Sequence, residues 1–167
     1  YCQVPDLTRG GPPPVDLTLL ESELRRFLHD ATVGDFLARN APPESRRLVD
    51  VAFSGNGEPT SAPEFASAVD LVAAVLLEFG LLASLPIRLI TNGSLLAQAR
   101  VQEGVRRLGD AGGAVWFKVD GGSSEAIERI NGVRVEPAAV ARNLARCAAL
   151  CPTCVQPCML RWDGHVP

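Results

Sequence analysis

A short apolar run passes into a glycine-rich turn at Val51-Ala-Phe-Ser-Gly-Asn-Gly-Glu-Pro-Thr60. One carboxylate, Glu58, lies in that turn between Gly57 and Pro59, and a helical pattern begins a few residues later. Glycine permits backbone conformations that other residues avoid and leaves amides accessible, while proline stiffens the turn by fixing φ. The order of strand, acidic turn and helix is typical of α/β proteins, which present polar groups at the carboxyl edge of the sheet. Taken alone, the turn also fits a Glu58 that only caps the following helix.

Strand and helix patterns alternate along the rest of the chain. Continuous apolar runs predict strands, and apolar residues at helical spacing predict helices between them. The predicted strands are 48–54, 87–91, 114–120 and 153–160. Six helices are predicted. The first begins at Thr18, with Glu21 completing a capping box, and the third runs from an N-cap at 61 to a stop at 80. The others are 33–39, 94–108, 123–129 and one that begins at 137. Continuously apolar strands indicate a parallel sheet that is covered by helices.

Polar residues end three of the predicted strand regions: Glu58, Asn92 and Asp120. Collected at the carboxyl ends of successive parallel strands, they fit a (βα) barrel or partial barrel whose site lies at that face. A doubly wound sheet is the alternative, because four strands alone cannot show whether a sheet closes. With 167 residues the chain can build one sizeable core, so we expect a single domain over 1–167.

Charge and hydropathy bear on the function class. The formal net charge of −3 provides no basic field, so bulk attraction to nucleic acid is not indicated. No apolar run reaches the roughly 18–20 residues of a membrane span, and no charged-then-apolar leader opens the chain. We therefore expect no membrane partner and a cytoplasmic location.

Two short motifs carry a resemblance to a known family. Tyr1-Cys2 opens the chain, and Gly57-Glu58-Pro59 follows one predicted helical region and one predicted strand later. In this arrangement the chain resembles the radical S-adenosylmethionine (SAM) enzymes, in which three cysteines at C-x3-C-x2-C hold a four-iron four-sulfur cluster. The resemblance implies that Cys2 is the third cluster cysteine, and that the other two, with the first strand, lie upstream of Tyr1. It also implies that Gly57, Glu58 and Pro59 bind the amino group of SAM.

Two further segments extend the resemblance toward Pro167. Thr91-Asn92-Gly93 resembles the equivalent strand edge of the family, where Asn92 could bind SAM or substrate; alternatively, it is a turn residue that tolerates a left-handed conformation. In the strand from 114, alternation places Trp116, Lys118 and Asp120 on one face. Lys118 is the only lysine in the chain. We expect it to point into the barrel, where it pairs with Asp120 or meets the SAM carboxylate.

The resemblance implies a cofactor-dependent enzyme. Its cofactors are a 4Fe-4S cluster and SAM, its electron donor is a protein such as flavodoxin or ferredoxin, and its substrate is not specified. In such enzymes the reduced cluster passes an electron to SAM, and the resulting 5′-deoxyadenosyl radical abstracts hydrogen from the substrate. The chain as given has one of the three cluster cysteines, so we expect it to be inactive by itself.

Other functions remain open on the residues alone. The spacing of Cys147, Cys151, Cys154 and Cys158 is C-x3-C-x2-C-x3-C, which could hold zinc or an iron–sulfur cluster in a non-catalytic domain. Against this, Cys147 falls on an amphipathic helical face, where cysteine behaves as a small apolar residue, so we favour free buried thiols. A third possibility is an α/β enzyme that uses Glu58 or Asp120 as an acid or base.

Overall fold

The computed structural model describes residues 13–55, 57–158 and 164 of the chain. Six helices and four strands form the described part. The helices are α1 (Leu17–Thr32), α2 (Phe36–Asn40), α3 (Phe65–Glu78), α4 (Ala99–Asp110), α5 (Ser124–Asn131) and α6 (Pro137–Ala148). The strands are β1 (Val51–Phe53), β2 (Ile87–Thr91), β3 (Ala114–Val119) and β4 (Thr153–Pro157). Two single turns of 3-10 helix lie at Pro43–Ser45 and Pro59–Ser61.

The four strands form one parallel sheet in the order β1-β2-β3-β4. The predicted parallel α/β architecture is therefore confirmed. Strands in sequential order, joined by right-handed crossovers, place their connecting helices on the same side of the sheet. A doubly wound sheet requires a reversal of strand order, and the described sheet contains none.

The two faces of the sheet differ in burial. The side chains of Ile87, Leu89, Val115 and Phe117 are fully buried in one core together with apolar residues of α3 and α4. On the opposite face, alternate residues of the strands are half-buried or exposed: Ala52, Arg88, Ile90, Trp116, Lys118, Cys154 and Gln156. The described helices thus cover one face, and we call the other the open face.

Four helices begin away from their predicted start. Helix α2 begins at Phe36 rather than at 33, and α3 begins at Phe65 rather than after an N-cap at 61, because the 3-10 helix Pro59–Ser61 precedes it. The N-cap of α1 is Asp16, whose carboxylate accepts from the Leu19 amide at 3.0 Å, so the predicted capping box at Thr18 was wrong. Helix α4 begins at Ala99 rather than near Ser94, because residues 94–97 form turns with i to i+3 hydrogen bonds. That helix also continues past Gly109 to Asp110.

The observed strand bounds agree best with the predicted bounds where a strand pairs with two neighbouring strands. β2 has the predicted bounds, whereas β1 is shortened to three residues because it pairs only with β2. β3 ends at Val119, so Asp120 follows the strand instead of ending it. β4 ends at Pro157, and the last residues of the predicted strand, 159 and 160, lie outside the described residues.

The longest described helix, α1, has 16 residues. A helix that crosses a membrane needs about 20 predominantly apolar residues. Among the described residues, no helix is long and apolar enough to span a bilayer.

Candidate functional site

Four hydrogen bonds from described residues hold the carboxylate of Glu58 at the carboxyl edge of β1 and β2. Its Oε1 atom accepts from the Thr91 hydroxyl at 2.6 Å, the Thr60 hydroxyl at 2.7 Å and the Thr60 amide at 3.2 Å. Its Oε2 atom accepts from the Asn92 amide at 2.9 Å. Both threonine residues are fully buried, so the carboxylate is fixed from the protein side. Glu58 therefore caps a helical turn, as the plainer interpretation predicts, and also joins the ends of two strands.

The turn itself is shaped by two glycines. Gly55 has φ of 141° and Gly57 has φ of 143°, a region that residues with a side chain rarely adopt. A Cβ atom added at either position would meet no atom within 4 Å, so the glycines are needed for backbone geometry and not for packing. The described residues beyond the immediate chain neighbours thus leave both Cβ positions unfilled.

Apolar packing fixes both ends of the Glu58 turn. The ring of Phe53, at the end of β1, meets the ring of Phe65, at the start of α3, edge-on with centroids 5.9 Å apart. Pro59 begins the intervening 3-10 helix, where its missing amide donor costs nothing. The segment from β1 to α3 is thus anchored on both sides of Glu58.

A second turn, Thr91-Asn92-Gly93, lies directly beside Glu58. Gly93 has φ of 69°, and a Cβ atom there would lie 2.2 Å from the ring of Phe117, so only glycine fits. The Asn92 side chain accepts from the Ser94 amide at 2.9 Å, as a turn residue does, while its backbone amide binds Glu58. Asn143 of α6 donates to the Gly93 carbonyl at 3.0 Å. Glu58 and α6 therefore hold this turn from two sides.

A cavity of about 210 Å³ opens next to the second turn. It is bounded by the end of β3, by α5 and by α6, and its polar lining includes Asn92, Lys118, Asp120 and Asn143. Ile127 and Val140 are among its apolar lining residues. The structure thus brings Asn92, Lys118 and Asp120 to one cavity. Gly57, Glu58 and Pro59 do not line it, and Glu58 is connected to it only through its bond to the Asn92 amide.

Lys118 and Trp116 lie on the open face, as strand alternation predicts. Their neighbours Val115 and Phe117 are fully buried on the helix-covered face. Lys118 itself is half-buried, opposite Gln156 of β4 in the sheet register. Near the carboxyl end of β3, Lys118 lines the same cavity as Asn92. Cys2, the predicted cluster ligand, lies outside the described residues.

The four later cysteines are not gathered into one metal site. The described residues contain no group of three or more His, Cys, Asp or Glu side chains that could hold a metal ion. The thiol of Cys147 accepts from the hydroxyl of Thr153 in β4. Cys154 follows Thr153 in the strand, so its side chain points to the other face of the sheet. All four are free, with Cys147 and Cys151 buried and Cys154 exposed. The expectation of buried thiols thus holds for two of them.

Burial also sets the chemistry of the two inner thiols. It raises the pKa of the Cys147 thiol, and it raises the pKa of Cys151 to about 11, with a smaller contribution from the neighbouring Cys147. Thiols with raised pKa values stay protonated at neutral pH, whereas a metal ligand or nucleophile must be a thiolate. These two cysteines therefore have the chemistry of core residues.

Sequence reasoning did not identify several contacts that hold the two turns. Thr60 and Thr91 donate to Glu58, Arg100 donates to the Thr60 carbonyl, and Asn143 donates to the Gly93 carbonyl. Only Thr60 could have been found from local sequence, because a hydroxyl two residues after an acid can donate a hydrogen bond to its carboxylate within one turn. The others act over long separations in the sequence.

Comparisons of the chain with protein-family models, with curated proteins and with solved structures give no match.

Proposed function

We propose that this chain is the core of a radical SAM enzyme with the partial (βα) barrel of that family. In this proposal Cys2 and two cysteines upstream of it hold a 4Fe-4S cluster, and the carboxyl edge of the sheet binds SAM. The enzyme is cytoplasmic, takes electrons from a donor such as flavodoxin or ferredoxin, and acts on a substrate that the sequence does not identify.

The observation that carries the proposal is the position of Glu58. A carboxylate between two glycine-containing turns, at the ends of two neighbouring parallel strands, is well placed to receive an ammonium group. Its Oε1 atom accepts three hydrogen bonds from described residues, but its Oε2 atom accepts one, and a carboxylate oxygen can accept more than one. No described atom beyond the chain neighbours fills the Cβ positions of Gly55 and Gly57, so these glycines do not obstruct an approach to the turn. These residues fit the amino group of SAM.

The sheet supports the same proposal. Its strand order without reversal and its helices on one side are what a partial barrel requires. The open face then becomes the barrel interior, and Lys118 lies on that face near the carboxyl edge. A half-buried ammonium at this position suits the carboxylate of SAM or an anionic group of the substrate.

Each residue has a defined role in this assignment. When bound, the cluster and SAM together supply a 5′-deoxyadenosyl radical that abstracts a hydrogen atom from the substrate. Glu58 binds and orients the ammonium of SAM, and Gly57 and Pro59 shape the turn that presents it. Asn92 fixes Glu58 through its backbone, and Lys118 binds the carboxylate end of the same ligand. Together they orient the cofactor at the carboxyl edge of the sheet.

The test begins with the residues that precede Tyr1. We expect cysteines three and seven residues before Cys2, after a strand-like segment. A protein that carries this complete motif is reconstituted anaerobically with iron and sulfide, reduced with dithionite and supplied with SAM. We expect 5′-deoxyadenosine and methionine as products by mass spectrometry, and none from the Cys2→Ala variant. A protein with neither upstream cysteine, or a reconstituted protein that leaves SAM intact, would contradict the proposal.

A further inference from the structure

Arg100, at the start of α4, binds the backbone of the turn that carries Glu58. Its Nη1 atom donates to the carbonyls of Thr60 and Ala62, each at 3.1 Å, and its Nη2 atom donates to the carbonyl of Ser61 at 3.4 Å. One guanidinium thus serves three successive carbonyls at the end of the 3-10 helix. Carbonyls at such an end have no partner within the helix, and a cation there is favourable.

The same short segment is the one that holds the carboxylate. Thr60 donates both its amide and its hydroxyl to Glu58 Oε1, and its own carbonyl accepts from Arg100. A shift of the Thr60 backbone would therefore move two of the four donors that fix Glu58. No side chain lies between Arg100 and this backbone, so the coupling runs through one residue.

We propose that Arg100 is a positioning residue for the SAM-binding carboxylate. It fixes the 3-10 helix Pro59–Ser61, so that Oε2 of Glu58 is presented in one orientation to the ammonium of the ligand. This inference rests on the proposed function for the ligand, but the positional coupling between Arg100 and Glu58 is a property of the chain alone. The planar guanidinium suits the task because its donors have a fixed geometry, which a lysine ammonium lacks.

Arg107 supplies a matched control on the same helix. It pairs with Glu103 one turn earlier and with Asp70 of α3, both on the surface. Arg107→Met and Arg100→Met therefore remove the same kind of side chain from α4, and only the latter removes contacts to the Glu58 turn. A general weakening of α4 would appear in both variants.

The first experiment needs no cofactor. Nuclear magnetic resonance spectra of the 167-residue chain report the amide of Asn92, which donates to Glu58 Oε2, and the amide of Thr60, which donates to Oε1. We expect both signals to shift and to exchange faster with solvent in Arg100→Met, and to stay unchanged in Arg107→Met. Unchanged Asn92 and Thr60 signals in a folded Arg100→Met protein would overturn the inference, whatever the ligand is.

The second experiment measures the dissociation constant of SAM in protein with the complete cluster motif. We expect Arg100→Met to raise it about tenfold, as losses of supporting contacts behind a ligand-binding group do. In the Glu58→Gln background Arg100→Met should add little, because the group that it positions is already lost. A full additional loss in that background would overturn the inference. If Glu58→Gln leaves SAM affinity unchanged, the proposed function fails instead, and the spectra still decide the role of Arg100.

Discussion

The hydroxyl of Thr91 lies 2.6 Å from Oε1 of Glu58, although 33 residues separate the two in the sequence. Thr91 ends β2, and Glu58 lies in the turn after β1, so this bond joins the carboxyl ends of adjacent strands. The Thr91 oxygen also accepts from the Gly93 amide at 3.0 Å. One buried hydroxyl therefore couples the two turns from which the candidate site is built.

Thr91→Val should loosen both turns at once. Valine keeps the shape of threonine but removes the donor to Glu58 and the acceptor for Gly93. Leaving buried polar groups without a partner costs about 1–3 kcal/mol, so we expect the free energy of unfolding in urea to fall by about that amount. We also expect weaker SAM binding. Thr32→Val removes a hydroxyl that donates within α1, so it should leave SAM affinity unchanged. Equal SAM affinity in the two variants would contradict the coupling.

Gly93→Ala should be much more damaging than Gly112→Ala. Both glycines have positive φ, 69° and 74°, so both substitutions incur backbone strain of about 1 kcal/mol. A Cβ at Gly93 would in addition collide with the buried ring of Phe117, whereas one at Gly112 meets nothing within 4 Å. Overpacking adds about 1–3 kcal/mol, which urea denaturation would detect. Equal losses would mean that Phe117 moves aside freely.

Lys118→Met should weaken SAM binding by roughly ten- to a hundredfold. A loss of this size corresponds to the free energy of one hydrogen bond to a charged group. Arg88→Met is the matched control, because Arg88 lies on the same open face but at the amino end of β2. That variant should bind SAM normally in an equilibrium titration. If Lys118→Met also binds normally, the role of Lys118 is limited to the fold.

The cysteines should react with iodoacetamide in order of exposure. Cys154 is exposed, whereas Cys147 and Cys151 are buried and their pKa values are raised by burial. Peptide mass spectrometry at pH 8 should therefore find Cys154 modified well before the other two. Added zinc should not change this order. Protection of Cys147, Cys151, Cys154 and Cys158 by one zinc ion per chain would support a metal-binding domain instead.

Cys151 should make the stability of the fold sensitive to alkaline pH. An unfolded thiol ionises near its ordinary pKa of about 8.5, while the folded thiol stays protonated up to about 11. The folded state therefore binds its proton more tightly, and the free energy of unfolding should fall as the pH rises from about 9 to 11. Urea denaturation of Cys151→Ala should show a smaller fall over that interval. An identical fall in both proteins would contradict the raised pKa.

The sequence predicted those parts of the fold that depend on local pattern. The bounds of β2 follow from a continuous apolar run between two turns, and α5 begins at Ser124, within one residue of its predicted start. The start of α4 was wrong because Asn92 forms a side-chain turn with Ser94, which competes with helix formation there. Local propensity does not resolve that competition.

The sequence indicated Glu58, Asn92, Lys118 and Asp120, but not the residues that hold them in place. Glu58 is recognisable from the glycines and proline beside it. Its partners Thr91 and Arg100 are not, because their contacts depend on how strand and helix are aligned in three dimensions. The same is true of Asn143, which reaches Gly93 from α6 across 50 residues of sequence. Hydrogen bonds of this kind leave no periodic signal in a single sequence.

The most direct measurement compares the affinity of SAM with that of an analogue lacking only the amino group, in wild-type and Glu58→Gln proteins that carry the complete cluster motif. If Glu58 receives the ammonium, the wild-type protein should prefer SAM by at least about tenfold, and Glu58→Gln should lose most of that preference. Equal affinities for the two ligands in the wild-type protein, or a preference that survives in Glu58→Gln, would contradict the assignment of Glu58 as the SAM-binding carboxylate.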